Sequence, residues 1–376
     1  MSDAASAAFD RFRDRQADLE ADLEALVGIE SPSDDPAAVT RCAEWLCERL
    51  GRAGVAAELR RCPPRGAAVL AHTGEGTAGT LLLGHHDTVW PVGTLAERPY
   101  ALRAGRATGP GCFDMKAGLA VAVAVLEALA LRAKPPPVVL LSVPDEEVGG
   151  EASRELLLAT ARRCERVLVL EPSADGAAKV ARKGTGQFEL RFRGRAAHAG
   201  LEPEKGASAL AELARAVGFA ESLADAERGT SVTPTVARAG TAVNVVPEHA
   251  SLQLDARVWS LAEGERVERA LRSRRPEDPR VECEVLGGFD RPPLEATAES
   301  DALFERARSV AERLGGSLAA ARVGGASDGN LTAAAGVATL DGLGPRGGGA
   351  HAPDEWVDAA DLPFRAALLL GLVGGY

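Results

Sequence analysis

Hydrophobic residues in the first half of the chain follow two different periods in turn. Helical spacing of apolar residues predicts helices over 5–27, 37–52, 115–131 and 151–161. Shorter apolar runs predict strands near 55–61, 67–72, 79–84, 137–143 and 167–170. The segment 92–113 is rich in Gly and Pro, so we expect an irregular loop there. Repeated β-α alternation, with polar residues at the strand ends, predicts a three-layer α/β/α domain.

The pattern changes after residue 182. It predicts strands near 187–193, 231–238, 249–259 and 280–286, and helices over 206–224 and 261–273. The order β-α-β-β-α-β is typical of a ferredoxin-like unit with an antiparallel sheet. The α/β pattern then resumes with a helix at 299–314, a strand at 336–340 and a final helix at 358–372. We therefore predict a discontinuous α/β domain (1–182 and 292–376) that carries an inserted ferredoxin-like α+β domain (183–291).

Composition and charge narrow the class of protein. The 376 residues are 46% hydrophobic and 26% charged, which is typical of a globular protein of two domains. The net charge of −11 and the lack of a basic block argue against a nucleic-acid partner. Neither a signal peptide nor a membrane-spanning apolar run is evident, so we expect a cytoplasmic protein without a membrane partner. Six scattered cysteines without a CxxC pair indicate reduced thiols.

The end of one predicted strand carries the first candidate chemistry. The apolar run 81–83 breaks at Gly84, and His85, His86 and Asp87 follow. Alternation along an extended chain points His85 and Asp87 the same way, into the crevice that ligands occupy in open α/β sheets. A histidine with a carboxylate two residues on often supplies a metal ligand and the partner that orients it. Taken alone, this pair is also consistent with a hydrogen-bonded histidine that has only a structural role.

Four more potential ligands follow at predicted strand ends or in loops: Asp114, Glu147, Glu171 and His351. Each has a structural alternative, namely a helix cap, an exposed acidic turn or an ordinary loop histidine. The adjacent carboxylates of Glu146 and Glu147 repel each other, so a buried site would need a cation or a shared proton. Two imidazoles and three carboxylates suit Zn²⁺, Co²⁺ or Mn²⁺. If one carboxylate bridges, the set provides three ligands to each of two metals, as in two-metal hydrolases.

Nine segments resemble the motifs of a known family. They are GHHDTV (84–89), GCFDMKAG (111–118), PDEEVGG (144–150), LEPS (170–173), GRAAHAG (194–200), VNVVP (243–247), DAR (255–257), GGASDGN (324–330) and GGGAHAPDE (347–355). These motifs follow one another in the order found in the di-zinc amidohydrolase-like metallopeptidases and cover nearly the whole chain. The chain therefore resembles this family. This family includes glutamate carboxypeptidase, acetylornithine deacetylase, succinyl-diaminopimelate desuccinylase and aminoacylase. The last two glycine-rich motifs look closest to the glutamate carboxypeptidase branch.

The resemblance implies a role for each residue of the candidate metal centre. It implies that His85 and Glu171 bind one metal ion, that Glu147 and His351 bind a second, and that Asp114 bridges the two. Zn²⁺ is the favoured metal, with Co²⁺ or Mn²⁺ as substitutes. It also implies that Asp87 orients His85, that Glu146 is the general base for an activated water, and that the Asp114–Met115 bond is cis.

The resemblance also assigns roles to residues outside the metal ligands. It implies that the inserted domain is a lid that forms a homodimer, and that His198 stabilises the oxyanion in the site of the other subunit. Without the surrounding motif GRAAHAG, His198 would be interpreted as an ordinary surface-loop histidine. Arg257 resembles the arginine that grips a substrate carboxylate, although many strand arginines are only solvated. The further candidates for substrate contact are Asn244, Gly324, Gly325 and Ser327.

The resemblance implies a hydrolase for small peptides or N-acyl amino acids. The expected reaction is cleavage of an amide bond beside a free carboxylate, with release of a C-terminal glutamate or a similar amino acid. An N-acyl-amino-acid deacylase of the same fold remains an alternative, because it would keep every metal ligand. A non-catalytic metal- or peptide-binding protein is an alternative of a different class. A two-metal phosphoesterase is disfavoured, because no basic cluster accompanies the ligands.

Overall fold

The computed structural model describes residues 3–76 and 79–374. The α-helices are α1 (Asp3–Asp14), α2 (Gln16–Val27), α3 (Pro36–Arg52), α4 (Thr94–Glu97), α5 (Ala117–Ala130), α6 (Arg154–Ala161), α7 (Ala209–Glu221), α8 (Leu261–Ser273), α9 (Ala298–Arg313), α10 (Asp328–Ala334) and α11 (Leu362–Leu372). Short helical turns cover Cys112–Lys116, Glu146–Val148, Pro203–Lys205 and Ala359–Asp361. Among these described residues, no helix has the length and apolar character needed to cross a membrane.

Sixteen strands are present in the described part of the chain. They are β1 (Ala56–Arg61), β2 (Ala67–Thr73), β3 (Thr80–His85), β4 (Ala101–Arg103), β5 (Arg106–Thr108), β6 (Val138–Val143), β7 (Arg166–Val169), β8 (Ala178–Arg182), β9 (Gly184–Arg193), β10 (Ser231–Ala239), β11 (His249–Val258), β12 (Glu282–Arg291), β13 (Ala320–Val323), β14 (Ala338–Leu340), β15 (Gly347–Gly348) and β16 (Trp356–Asp358).

The chain divides into two compact units. The first consists of Met1–Ala181, Ala296–Val323 and Ser327–Tyr376, and the second of Arg182–Glu295 and Gly324–Ala326. The segment predicted as the inserted domain, 183–291, lies within the second unit.

A six-stranded sheet in the order β1-β2-β6-β3-β7-β14 forms the centre of the first unit. The last four strands are parallel, whereas β1 and β2 each pair antiparallel with their neighbours. Successive residues of β3 face opposite cores: Leu82 belongs to a core that also contains residues of α1, α2, α3, α5, α9 and α11, and Leu81 and Leu83 belong to one that contains residues of α6 and α10. Helices therefore cover both faces of the sheet, and the predicted three-layer α/β/α class is confirmed.

The second unit is a four-stranded antiparallel sheet in the order β10-β11-β9-β12, with helices α7 and α8. Along β9, buried and exposed residues alternate, as the sequence pattern predicts for a half-buried strand. Phe188, Leu190 and Phe192 form its apolar face and pack with Leu213 of α7 and Leu271 of α8. The order β-α-β-β-α-β is the predicted one.

Two elements in the first 115 residues differ from the prediction. The helix expected over 5–27 is broken at Arg15 into α1 and α2. Both helices bury their apolar faces in the same core, so the period continues across the break and gives no sign of it. The loop expected over 92–113 contains α4 and the hairpin of β4 and β5, which turns at Ala104 and Gly105 with positive φ at both. Three-residue strands are too short to show alternation.

Other differences are smaller. The short strands β8, β13, β15 and β16 were not predicted, and the helix expected to start at Met115 begins at Ala117 after the turn Cys112–Lys116. The final helix begins at Leu362 rather than at residue 358. All six cysteines are free thiols, as expected from their spacing.

Candidate metal centre

Three neighbouring parallel strands of the large sheet end at the candidate site. His85 is the last residue of β3, the middle strand of the three. The turn Glu146–Val148 follows β6 on one side, and Glu171 follows β7 on the other. Because parallel strands bring their carboxyl ends to one edge of a sheet, residues far apart in sequence meet there.

Asp114 reaches the same edge from the turn that precedes α5. Its peptide bond to Met115 is cis, as the resemblance implied. The turn packs closely against the segment that follows β3, because a Cβ at Gly111 would lie 2.5 Å from Cγ2 of Thr88. Gly111 has a φ of +72°, so a residue with a side chain would be disfavoured here for two reasons.

All five predicted metal ligands lie together. Nε2 of His85 is 3.3 Å from Oδ1 of Asp114 and 3.4 Å from Oε1 of Glu171. Nε2 of His351 is 3.4 Å from Oδ2 of Asp114 and 3.0 Å from Oε2 of Glu147. The two oxygens of Asp114 thus face two different pairs, each made of one imidazole and one carboxylate.

Glu146 belongs to the same cluster. Ligand atoms of His85, Glu146 and Glu171 lie within 4.8 Å of one another, and so do those of His85, Asp114 and Glu147. Glu146 and Glu147 are both partly buried. The adjacent carboxylates therefore do not form the fully solvated acidic turn that was the structural alternative.

The carboxylates make the cluster strongly favourable to positive charge. Burial opposes protonation of His85, but the facing carboxylates outweigh it and raise the pKa of His85 well above its ordinary value. Hydrogen bonds with Asp114 and Glu147 raise the pKa of His351 to about 10. Burial opposes ionisation of Asp114, but its hydrogen bonds with the two histidines prevail and lower its pKa below the ordinary value.

Asp87 connects the histidine strand to the acidic turn. Its carboxylate is fully buried, and Oδ1 lies 3.3 Å from Nδ1 of His85. The backbone N–H groups of Glu146 and Glu147 donate to its two oxygens at 3.2 Å each. The hydroxyl of Ser33 donates to Oδ2 at 2.7 Å. Asp87 therefore contacts both the ring and the turn, whereas the sequence indicated only the contact with the ring.

Sequence reasoning missed Ser33 and Glu355, which support the cluster from outside it. Ser33 lies in a loop with no apolar period, and nothing in its neighbourhood indicated a contact with Asp87. Glu355 is part of the quoted motif GGGAHAPDE, which was the only signal for it. Its buried carboxylate accepts hydrogen bonds from the backbone N–H groups of Phe113 and Asp114.

Two predicted residues of the second unit lie on neighbouring loops of that unit. His198 is exposed and forms a bridge with Val245, while the N–H of Ala199 donates to the carbonyl of Asn244 at 2.9 Å. Nδ1 of His198 accepts from the backbone N–H groups of Gly200 and Leu201, both at 3.1 Å. Because Nδ1 is an acceptor, the proton of the neutral ring is on Nε2, which can donate.

The other predicted substrate contacts have partners within their own units. Nε and Nη2 of Arg257 donate to the carboxylate of Asp255 at 2.8 and 2.9 Å. Ser327 is fully buried and caps α10, with its hydroxyl accepting from Gly329. Gly324 and Gly325 belong to the second unit, and a Cβ at either would meet no atom within 4 Å. Contact of these residues with substrate stays a prediction.

The cluster in the first unit fits a pair of divalent cations. It consists of imidazole nitrogens and carboxylate oxygens, without a thiolate, which is a donor set suited to Zn²⁺, Co²⁺ or Mn²⁺. Three carboxylates face two imidazoles across gaps of 3.0 to 3.4 Å, so positive charge is needed to hold them together.

Comparison with known families decides the class of this protein. The model of peptidase family M20/M25/M40 matches residues 81–374, which is most of the chain and contains every residue of the cluster. The chain belongs to this family. It is accordingly a metallopeptidase or amidohydrolase with a candidate metal-binding site.

Two similar proteins carry the names of different enzymes. Carboxypeptidase G2 from Pseudomonas sp. (strain RS-16) is 29% identical over 379 residues, covering 97% of this chain and 91% of that protein. Acetylornithine deacetylase from Proteus mirabilis (strain HI4320) is 29% identical over 201 residues, covering 52% of this chain and 50% of that protein.

Solved structures share the fold at lower identity. The structure of aminopeptidase PepT from Bacillus cereus ATCC 10987 matches with a TM-score of 0.77 at 22% identity, covering 96% of this chain and 98% of that one. Bacillus subtilis YXEP, described as a dinuclear metal binding peptidase from the M20 family, matches with a TM-score of 0.73 at 16% identity, covering 97% and 98%. At these identities the likeness establishes the fold of this M20 chain.

Proposed function

We propose that this M20 protein hydrolyses an amide or peptide bond beside a free carboxylate, and releases a C-terminal glutamate or a similar amino acid. The observation that carries the proposal is the position of Asp114, whose two oxygens each face a different imidazole-carboxylate pair. Similarity to carboxypeptidase G2 over 97% of the chain supports the carboxypeptidase-like specificity.

In this proposal, His85 and Glu171 would hold one divalent cation, Glu147 and His351 would hold the other, and Asp114 would contribute a ligand to both. Zn²⁺ is the proposed metal. When bound, the two cations would lower the pKa of a water molecule to about 7 and act as a Lewis acid towards the amide carbonyl. Asp87 keeps the ring of His85 oriented, because its backbone carbonyl lies 3.0 Å and its carboxylate 3.3 Å from Nδ1, which leaves Nε2 to face the site.

Glu146 is the proposed general base. Its carboxylate lies in the same cluster as His85 and Glu171 but is not needed to complete either set of three ligands. It accepts the proton of the attacking water and then transfers that proton to the leaving nitrogen, which would otherwise depart as an unstable anion. Glu147, next in the chain, remains a ligand.

The second unit is proposed to serve as a lid and to form a homodimer. We propose that His198 donates from Nε2 to the oxyanion that develops on the substrate carbonyl. Its Nδ1 already accepts two backbone N–H groups, so the donor is prepared before substrate binds. Arg257 and Asn244 are proposed to bind the free carboxylate of the substrate, with Arg257 using the Nη1–Nη2 edge because its Nε–Nη2 edge pairs with Asp255.

Substitution of the proposed base tests the reaction. Glu146→Gln should retain two metal ions per chain and lower kcat by about 10²- to 10⁴-fold, because the general base is lost. The exposed Glu151 offers a matched control, and Glu151→Gln should keep normal kcat. Turnover of the Glu146→Gln protein at the normal rate would remove Glu146 from the mechanism. Failure of the unmodified protein to cleave any acyl-amino-acid amide would favour a binding protein instead.

A substrate comparison separates the two candidate specificities. Partial similarity to acetylornithine deacetylase favours an N-acyl-amino-acid deacylase as the second candidate. The kcat/KM for release of free glutamate from folyl- or acyl-glutamates should exceed the kcat/KM for hydrolysis of N-acetylornithine. The opposite ratio would establish the deacylase and overturn the carboxypeptidase-like specificity.

Subunit mixing tests the proposed role of His198. His198→Ala should impair hydrolysis without loss of metal. Mixed with the Glu146→Gln chain, it should recover part of the activity if the site is completed by a second subunit. No recovery in a mixture shown to contain heterodimers would mean that His198 does not act across the dimer.

A further inference from the structure

One buried carboxylate outside the candidate ligands collects four hydrogen-bond donors. Glu355 is 2% exposed. Its Oε1 accepts from the backbone N–H groups of Phe113 at 2.9 Å and Asp114 at 3.0 Å. Its Oε2 accepts from the backbone N–H of Gly111 at 2.9 Å and from Nε1 of Trp90 at 3.0 Å. Hydrogen bonds to a charged acceptor are the strong ones, particularly where water is excluded.

These donors come from two of the segments that carry the candidate ligands, and Glu355 belongs to a third. Trp90 lies five residues after His85, and the backbone donors surround Asp114. Glu355 itself lies four residues after His351, in a loop that its own N–H closes on the carbonyl of Ala352 at 3.1 Å. A single side chain therefore ties together three loops whose relative positions decide whether the ligands converge.

The arrangement requires a carboxylate rather than an amide. Each oxygen of Glu355 accepts hydrogen bonds from two N–H donors. A glutamine would have to direct its NH₂ group at one of these two pairs of N–H groups, whichever way the amide were turned. Three of the four donors are backbone groups, which cannot rotate away without displacing the turn that carries Asp114.

We propose that Glu355 is a positioning residue that holds the turn of Asp114 against the loop of His351, so that the bridging carboxylate reaches both metal sites. This proposal rests on the proposed two-metal function. It adds a determinant of metal affinity that neither binds metal nor contacts substrate. Removal of a residue that holds a metal ligand in position typically costs about 10- to 100-fold in metal affinity or activity.

Metal titration of two graded variants and one control tests the proposal. The Zn²⁺ affinity of the full chain is measured by competition with a chromophoric chelator, together with kcat, KM and the melting temperature without metal. Glu355→Gln should bind Zn²⁺ about 10- to 100-fold more weakly and lose kcat with little change in KM. Trp90→Phe, which removes one donor of the four, should weaken Zn²⁺ binding by less.

The control is Glu127→Gln. Glu127 lies in α5 and accepts hydrogen bonds from Arg15 and Arg49. This variant should lose some stability without a change in Zn²⁺ affinity or kcat. A merely structural role for Glu355 would give the same pattern as Glu127→Gln, and that result would overturn the proposal.

The outcomes also distinguish this proposal from the proposed function. If the unmodified chain binds no Zn²⁺ or does not cleave an amide, the function itself fails. If it does both, while Glu355→Gln binds Zn²⁺ with unchanged affinity, only the role of Glu355 fails. Should Glu355→Gln not fold, unchanged Zn²⁺ affinity in Trp90→Phe would contradict the proposal, and graded weakening would support it.

Discussion

Replacement of Asp87 by Asn tests how the cluster is held in place. The carboxylate is fully buried, lies beside Nδ1 of His85, and accepts from Ser33 and from the backbone of Glu146 and Glu147. An asparagine keeps the shape but removes the charge. Either orientation of its amide would direct an NH₂ group at a backbone N–H.

The expected loss of Zn²⁺ affinity in Asp87→Asn follows from the loss of charge. A hydrogen bond to a charged group contributes about 1.5–3 kcal/mol to stability, against about 1 kcal/mol for a neutral one. Weakening the contact with His85 alone should therefore reduce Zn²⁺ binding by about 1–2 kcal/mol, or about 5- to 30-fold. Disorder of the turn of Glu146 should lower kcat as well, because the proposed base would no longer be held in place.

The assay is a competitive Zn²⁺ titration with a chelator, followed by kcat at saturating Zn²⁺. Ser31→Ala is the matched control, because the hydroxyl of Ser31 donates to the carbonyl of His86 at 2.6 Å and does not contact Asp87. That variant should lose a buried hydrogen bond without a change in metal affinity. An Asp87→Asn protein with unchanged Zn²⁺ affinity and kcat would refute the reasoning.

Three further predictions concern packing, protons and acid stability. Gly118→Ala would place a Cβ 2.2 Å from the carbonyl oxygen of Leu170, next to Glu171, so urea unfolding should show a loss of about 1–3 kcal/mol; an unchanged midpoint would contradict this. Because facing carboxylates raise the pKa of His351 to about 10 in the metal-free protein, Zn²⁺ binding should release protons and strengthen as pH rises towards 10. Calorimetry in buffers of different ionisation enthalpy measures the release, and pH-independent affinity would exclude it. Hydrogen bonds with arginines lower the pKa of Glu263 from 4.5 to about 2, so its stabilising effect is present above pH 4.5 and is lost as pH falls through 2. Glu263→Gln should show less loss of stability than the unmodified protein over that interval, and equal slopes would contradict the assignment.

The strand-end residues could be predicted because two independent signals coincide there. His85 and Glu171 each follow a buried apolar run, and polar residues that end parallel strands must lie near one edge of the sheet. His351 could be named as a potential loop ligand, but no strand pattern predicts its position, because it follows three glycines and an alanine and has a φ of +60°. The resemblance to a family was needed to pair His351 with Glu147.

The supporting residues could not be predicted from local pattern for a physical reason. Ser33 and Glu355 act through hydrogen bonds to partners 54 and more than 240 residues away in sequence, several of them backbone N–H groups. A backbone donor is present at nearly every position, so the partner leaves no mark on the sequence. The break at Arg15 was hidden for a related reason, since α1 and α2 share one core and keep one apolar period.

The most direct test of the account is the location of the metal ions. Crystals grown with Zn²⁺ should be measured on both sides of the zinc absorption edge. We expect two anomalous peaks, one beside Oδ1 of Asp114 with His85 and Glu171, and one beside Oδ2 with Glu147 and His351. A single peak at saturating Zn²⁺, or two peaks that do not share Asp114, would contradict the proposed centre.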